Sequence, residues 1–132
     1  MEISLVHPAA LRSVWDKVKD GLAQMPPEDW IPEDVYHEIR AGRAALYVAQ
    51  EGEAFGGFLV LQRRETEFTG LPILHVWLAY NAGDRDVFQA GEATIREVAG
   101  QMGAHRITFG SPRLGWSRRY PLVTATYELQ PS

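Results

Sequence analysis

Residues Leu71-Pro-Ile-Leu-His-Val-Trp-Leu-Ala-Tyr80 form an apolar run that predicts a strand, and the loop Asn81-Ala-Gly-Asp-Arg-Asp86 follows it directly. A helical pattern then continues to about Met102, and His105-Arg-Ile-Thr-Phe-Gly110 predicts a second strand. This order predicts one right-handed crossover that leaves the two strands parallel. Many proteins bind phosphate at such a strand–helix loop, because the first turn of a helix carries free N–H groups and the positive end of a dipole.

The loop at 81–86 has an unusual composition for a phosphate site. It contains one glycine, Gly83, and one cation, Arg85, together with Asp84 and Asp86. The two carboxylates would repel a diphosphate, and either of them is an ordinary capping residue for the helix that follows. The sequence therefore leaves two interpretations, an altered phosphate loop and a simple helix start.

Helices and strands of the N-terminal half surround this unit. A short strand is predicted over 2–6, and a helix that begins near Pro8 has one apolar face. That face consists of Leu11, Val14, Trp15, Val18 and Leu22. A second helix is predicted from about Pro32 to Gly42.

Two more strands are predicted over 44–50 and 54–63, joined by a turn at 51–53. Gly56 and Gly57 within the second of them predict a bulge or a close backbone approach. Near the C-terminus, a short helical segment over 112–119 and a closing strand over 123–129 complete the order. We therefore expect a single α/β (α+β) domain over 1–132, with a mixed, mostly antiparallel sheet flanked by helices.

Composition excludes several classes of function. The chain has 132 residues, of which 45% are apolar, and it has no cysteine. Thiol catalysis and cysteine-ligated metals are thereby excluded. No apolar stretch approaches the roughly 20 residues needed to span a membrane, and the N-terminus lacks the features of a secretory signal, so we expect a cytoplasmic protein.

Charge and histidine spacing give no sign of a nucleic-acid or metal site. The net charge of −4 offers no general footprint for nucleic acid. The four histidines are scattered without a ligand spacing, so no metal is expected. Three arginines around Trp116, namely Arg113, Arg118 and Arg119, form a basic cluster. It would suit nucleic acid, a cofactor phosphate or a solvated helix face.

The order of elements resembles the GNAT superfamily of N-acyltransferases over nearly the whole chain. The segment Ser111-Pro-Arg-Leu-Gly-Trp-Ser-Arg-Arg119, with Tyr127-Glu128, also looks like compact GNAT-like proteins of tailed phages and prophages. The resemblance implies acetyl-CoA as a co-substrate and a primary amine, in a small molecule or a peptide, as the acceptor.

The resemblance also implies where acetyl-CoA would bind. Its pantetheine arm would lie along Trp77, Leu78, Ala79 and Tyr80, held by backbone groups. Its diphosphate would lie on the loop at Asn81, Gly83 and Arg85. The paired-glycine pattern of the family is absent from this loop.

Two residues are implied as catalytic. His75 is the candidate general base, since an unperturbed imidazole titrates near neutral pH. Tyr120 is the candidate acid that protonates the leaving thiolate. The alternatives are that His75 packs beside Trp77 under a helix and that Tyr120 closes the core. Strict alternation puts His75 on one face with Ile73, Trp77 and Ala79, and it puts Leu74, Val76, Leu78 and Tyr80 on the other.

Two hypotheses follow. The first is a small acetyltransferase acting by direct attack of an amine. The second is a GNAT-like binding or assembly protein without catalysis, encoded by a phage or prophage, with a phage structural protein as its partner and an association with the virion. The aromatic content also permits a homo-oligomer.

Overall fold

The computed structural model describes residues 1–26, 28–110 and 129–130. Its strands are β1 (Glu2–Val6), β2 (Ala44–Glu51), β3 (Ala54–Glu65), β4 (Pro72–Asn81) and β5 (Arg106–Phe109). Its α-helices are α1 (Trp15–Ala23), α2 (Pro32–Arg40), α3 (Val87–Ala90) and α4 (Glu92–Met102). The predicted helix over 112–119 and most of the predicted strand over 123–129 lie outside the described residues.

The strands form one sheet in the order β1-β2-β3-β4-β5. The first three pairings are antiparallel, and β4 pairs with β5 in parallel from Ile73↔Arg106 to Val76↔Phe109. Both the mixed, mostly antiparallel sheet and the single parallel crossover agree with the sequence prediction. The crossover requires α3 and α4 to lie between β4 and β5 in the chain, and they cover one face of the sheet.

The described core has two layers, one on each face of the sheet. The layer under α1 and α2 is centred on residues such as Leu11, Val18, Ile39 and Phe58, all fully buried. The layer under α3 and α4 includes Leu59, Val76 and Ile95. The sheet therefore separates a side covered by the N-terminal helices from a side covered by the crossover helices.

The first predicted helix is divided into two segments. A 3-10 helix covers Pro8–Ser13, and α1 begins only at Trp15. The His7 side chain accepts a hydrogen bond from the N–H of Ala9, and the N–H of Val14 reaches only three residues back, to the carbonyl of Leu11. A single helix from Pro8 was therefore wrong. Its five predicted apolar residues nevertheless all belong to the layer under α1 and α2.

The long helix predicted over 86–102 is interrupted at Gly91. Helix α3 ends at Ala90 and α4 begins at Glu92. A Cβ atom at Gly91 would lie 2.5 Å from Cδ1 of Leu59, so the glycine lets the junction approach β3 more closely than another residue would. A continuous helix over 86–102 was therefore wrong. The interruption lies at Gly91, whose ψ of −1° departs from the helical value, although its N–H still bonds to the carbonyl of Val87.

A bulge occurs at the two glycines of β3. Ala49 pairs with Gly57 while Gln50 pairs with Phe55, so Gly56 is the extra residue. Gly57 has φ = +134°, and a Cβ atom there would overlap the carbonyl oxygen of Tyr80. Both alternatives offered by the sequence, a bulge and a close backbone approach, are confirmed.

A second bulge lies in β4 at Trp77. Leu61 pairs with Val76 and Val60 pairs with Leu78, which leaves Trp77 without an opposite residue on β3. The bulge reverses the alternation beyond it. Leu78 and Tyr80 pack in the layer under α1 and α2, whereas Leu74 and Val76 pack in the layer under α3 and α4. The predicted common face of these four residues was therefore wrong.

Candidate functional site

The centre of the candidate site is the part of β4 that extends beyond its parallel partner, β5. Pairing with β5 stops at Val76, and β4 continues as a strand from Trp77 to Asn81. This extension stays paired with β3 on its other side, up to Gly57↔Asn81. Among the described residues, no strand pairs with it on the β5 side. Within the described part of the chain, β4 thus has a strand edge that begins at the Trp77 bulge and that can pair with an extended ligand.

The residues implied for the pantetheine arm lie along this edge. Trp77 and Tyr80 are partly buried on the α1/α2 side, Leu78 is 2% exposed on the same side, and Ala79 is exposed. Three of these four side chains pack in the core layer, and that of Ala79 faces solvent. The groups of this segment that can bind a ligand are therefore its backbone N–H and C=O groups.

The loop after β4 satisfies the helix that follows it with its own side chains. Oδ1 of Asn81 accepts a hydrogen bond from the N–H of Val87 at 2.8 Å. Oδ1 of Asp86 accepts one from the N–H of Gln89 at 3.2 Å, as an N-cap. The capping interpretation of Asp86 is confirmed. The N–H groups of Val87 and Gln89 are already hydrogen-bonded and are therefore not available to a phosphate.

The cation of the loop is also engaged. Nη1 of Arg85 lies 3.2 Å from Oε1 of Glu51, at the turn between β2 and β3. Both side chains are more than half exposed, 58% for Arg85 and 51% for Glu51, so this ion pair contributes little to stability. An added Cβ at Gly83 would meet no atom within 4 Å among the described residues beyond its chain neighbours. A diphosphate at this loop would compete with Glu51 for Arg85.

His75 lies on β4 two residues before the bulge. It pairs with Gln62 on β3 and with Thr108 on β5. Its Nδ1 lies 2.8 Å from Oγ1 of Thr108. Burial, and to a smaller degree the positive charge of Arg64, lower the pKa of His75 to about 4. The ring is therefore neutral at pH 7, with Nδ1 engaged by Thr108.

The strand register defines which way His75 faces. Leu61 and Val76 are opposite each other and pack under α3 and α4. Gln62 and His75, the next pair, therefore lie on the α1/α2 face. The structure thus places His75 on the same face as Trp77, close to the strand edge. Tyr120 and the basic cluster around Trp116 lie outside the described residues and stay predictions.

An open depression on that face includes Gln62, the residue opposite His75 on β3. Its volume is about 550 Å³, and it is lined by Glu38, Gly42, Arg43, Gln62, Arg63 and Arg64. Thr108, Glu51 and these lining residues were not singled out from the sequence. No spacing signal identifies them, because only tertiary contact brings them together. Pairing of β4 with β5 brings Thr108 to His75, and the turn between β2 and β3 brings Glu51 to Arg85.

Comparisons with known proteins show what this architecture is similar to. No protein-family model and no curated protein sequence matches the chain. A crystal structure of a probable acetyltransferase matches with a TM-score of 0.71 at 15% identity, over 100% of this chain and 99% of the other. The ribosomal-protein-alanine N-acetyltransferase of Brucella melitensis biovar Abortus 2308 gives 0.71 at 16% identity, over 98% and 99%.

A third structure adds a bound co-substrate. It is a predicted acetyltransferase from Clostridium acetobutylicum with acetyl-CoA, which matches with a TM-score of 0.68 at 10% identity over 99% of this chain and 95% of the other. The chain has the GNAT acetyltransferase fold. The identities are low, so the likeness establishes the GNAT fold alone. The resemblance to phage-encoded proteins stays a prediction.

Membrane-spanning helices and metal-ligand clusters are both absent from the described residues. No described helix of this GNAT fold has both the length and the apolar character required to cross a membrane. No three histidine, aspartate or glutamate side chains in the described part are grouped so that they could hold a metal ion.

Proposed function

We propose that the chain is an N-acetyltransferase that transfers an acetyl group from acetyl-CoA to a primary amine. The observation that carries the proposal is the edge of β4 from Trp77 to Asn81, which continues past the last β4–β5 pair at Val76. An extended chain that contains amides can add to such an edge as a further strand does. The pantetheine arm of acetyl-CoA is a chain of that kind. The similarity in fold to acetyltransferases supports the same function.

The residues of the chain fit the two halves of acetyl-CoA unequally. The backbone of Trp77, Leu78, Ala79 and Tyr80 fits the pantetheine arm. The loop fits the diphosphate poorly, because Asn81 and Asp86 already accept the hydrogen bonds of Val87 and Gln89, and because Arg85 pairs with Glu51. We therefore infer that the pantetheine arm contributes most of the binding and that Gly83 and Arg85 contribute a smaller part.

His75 is proposed to bind the amine and to accept its proton. Acetyl-CoA supplies an activated acyl group as a thioester. The amine nitrogen forms the new C–N bond while the C–S bond breaks, and one proton leaves the nitrogen as the thiolate gains one. A base with a pKa of about 4 removes a proton from a free ammonium group poorly. His75 instead accepts a hydrogen bond from the neutral amine and takes its proton as the nitrogen becomes acidic during attack. Tyr120 is proposed as the donor to the thiolate.

A second function is favoured by the loop itself. Its side-chain acceptors bind the N–H groups of Val87 and Gln89 in α3, and its cation is paired with Glu51. A GNAT-fold protein that has lost acyl-CoA binding would show this arrangement, and it would serve as a binding or assembly protein, in a phage or prophage setting as the resemblance implies. This second proposal requires that acetyl-CoA does not bind.

Calorimetric titration with acetyl-CoA and with S-acetylpantetheine distinguishes the two. The acetyltransferase proposal expects saturable binding of both, release of free thiol when a primary amine is added, and a modestly lower acetyl-CoA affinity in Arg85→Ala. Arg96→Ala is the matched control, because Arg96 is exposed on α4 and pairs with Glu92 away from β4. Absence of heat with either ligand at millimolar concentration would exclude the enzyme and leave the binding protein.

A further inference from the structure

The depression on the face of His75 has more cations than carboxylates among its described lining residues. These include Arg43, Arg63 and Arg64, with Glu38 as the described carboxylate. It is an open surface depression of about 550 Å³. A depression with this excess of positive charge favours an anionic group on whatever enters it.

The three arginines differ in how far they are already neutralised. Nε of Arg43 lies 2.9 Å from Oε2 of Glu38, and Nη1 of Arg63 lies 2.6 Å from Oε1 of Glu65. Nη2 of Arg64 instead donates a hydrogen bond to the neutral amide oxygen of Gln62 at 3.0 Å. Within the described ranges, no carboxylate forms an ion pair with Arg64. Arg64 is therefore the cation with most capacity left for an anion.

Arg64 is also the arginine placed on the face of His75. Gln62 is opposite His75, and Arg64, two residues further along β3, is opposite Ile73. Alternation puts Gln62 and Arg64 on the same face, about 7 Å apart along the strand. It attaches Arg63 to the opposite face, although Arg63 still contributes to the lining of the depression. The charge of Arg64 acts on the imidazole, where it lowers the pKa of His75.

We propose that the amine substrate carries a carboxylate, which Arg64 binds in the depression while the amine lies at His75. This inference rests on the proposed acetyltransferase function and adds the substrate class. The guanidinium fork binds a carboxylate through two parallel hydrogen bonds, which holds the rest of the molecule in a fixed direction. Arg64 lies two residues along β3 from Gln62, the residue opposite His75. A substrate that reaches both Arg64 and His75 would therefore have its carboxylate and its amine separated by a short chain of a few bonds, as in an ω-amino acid.

The test uses 4-aminobutyrate and butylamine, which differ in the carboxylate. Each is titrated into the full-length protein without acetyl-CoA, and the ¹H and ¹⁵N resonances of the His75 ring are followed by NMR. We expect 4-aminobutyrate to shift these resonances saturably and butylamine to bind about tenfold more weakly. Arg64→Gln is expected to reduce the affinity for 4-aminobutyrate to that for butylamine, and Arg96→Gln, on α4, to leave it unchanged.

Equal affinities for the two probes, or an Arg64→Gln protein that still prefers 4-aminobutyrate, would overturn the proposal. The experiment needs no catalysis, so it is independent of the acetyl-CoA titration. If the protein binds 4-aminobutyrate through Arg64 but does not bind acetyl-CoA, the anion site is supported and the proposed enzymatic function is contradicted. If the protein binds acetyl-CoA and acetylates both amines equally, the enzymatic function is supported and the proposed substrate class is contradicted. Folding of Arg64→Gln is checked by its amide spectrum, and Arg64→Lys, which keeps the charge, is expected to recover part of the preference.

Discussion

The imidazole Nδ1 of His75 lies 2.8 Å from the hydroxyl oxygen of Thr108, across the parallel pair of β4 and β5. The two residues are opposite each other in the register, so strand pairing itself brings the groups together. A hydrogen bond at Nδ1 leaves Nε2 as the ring nitrogen that can meet a ligand. The pairing thus fixes both the position of the ring and the nitrogen that it presents.

Protonation of His75 is expected to destabilise the fold. The pKa of His75 is lowered to about 4 from an ordinary value of 6.5, so the unfolded chain takes up the proton first as the pH falls. Stability contributed by the neutral ring is therefore present above pH 6.5 and is lost as the pH falls from there towards 4. Thermal melts across this window should show a decline in Tm that is shallower in His75→Gln. An NMR titration that finds His75 half protonated near pH 6.5 would contradict this.

Thr108→Val should release the His75 ring without emptying the space beside it. Valine keeps the shape and the strand propensity but cannot form the hydrogen bond, and we expect a loss of about 1 kcal/mol in the free energy of unfolding. The ¹⁵N shift of His75 Nδ1 should then change, because that nitrogen has lost its hydrogen-bond partner. Thr108→Ser, which keeps the hydroxyl, should preserve the native shift, and a ring that behaves alike in both variants would argue against a positioning role for Thr108.

Gly57 and Gly83 should respond oppositely to alanine. At Gly57 the φ of +134° and the overlap with the carbonyl oxygen of Tyr80 leave no room for a methyl group, and we expect a loss of about 3 kcal/mol or more. At Gly83 no atom lies within 4 Å of an added Cβ, so the change in stability should stay within about 0.5 kcal/mol. Urea unfolding of both variants measures the contrast. A fall in acetyl-CoA affinity in Gly83→Ala would then indicate a close approach of the ligand, since the fold is unchanged.

Asp86→Ser separates the capping role of Asp86 from its charge. Serine retains an oxygen that can accept from the N–H of Gln89, so little stability should be lost, whereas Asp86→Ala should cost about 1 kcal/mol. Removal of the carboxylate should raise the affinity for acetyl-CoA a few-fold, because less negative charge lies beside the diphosphate. The affinity for S-acetylpantetheine serves as the control and should not change. An acetyl-CoA affinity that also stays constant would place the diphosphate away from this loop.

Local pattern was sufficient to predict the order of elements and the parallel crossover. Apolar periodicity and glycine position are properties of short segments, so β2, β3, α2 and the loop at 81–86 were predicted within a few residues of their bounds. Three predictions were wrong. The division of the first helix between Ser13 and Trp15 is a local feature of the chain, whereas the other two involve tertiary contact. Gly91 interrupts the helix where it meets Leu59, and the bulge at Trp77 reverses the faces of Leu78 and Tyr80.

The candidate site was predictable only in part. His75 and the loop residues could be named because each has a recognisable chemistry at a recognisable place. Thr108, Arg64 and Glu51 could not, because their relevance depends on which strands lie side by side. His75 and Thr108 are 33 residues apart in sequence, and nothing in either segment alone indicates that their side chains form a hydrogen bond.

The close approach of Gly57 to Tyr80 has a mechanical consequence for the exposed edge of β4. Because the end of β4 is held tightly against β3 at this point, the edge from Trp77 to Asn81 has little freedom to move away from the sheet. Under the proposed function, a longer or bulkier acyl chain could not be accommodated by a displacement of β4. Any additional room would have to come from the opposite side of the bound ligand.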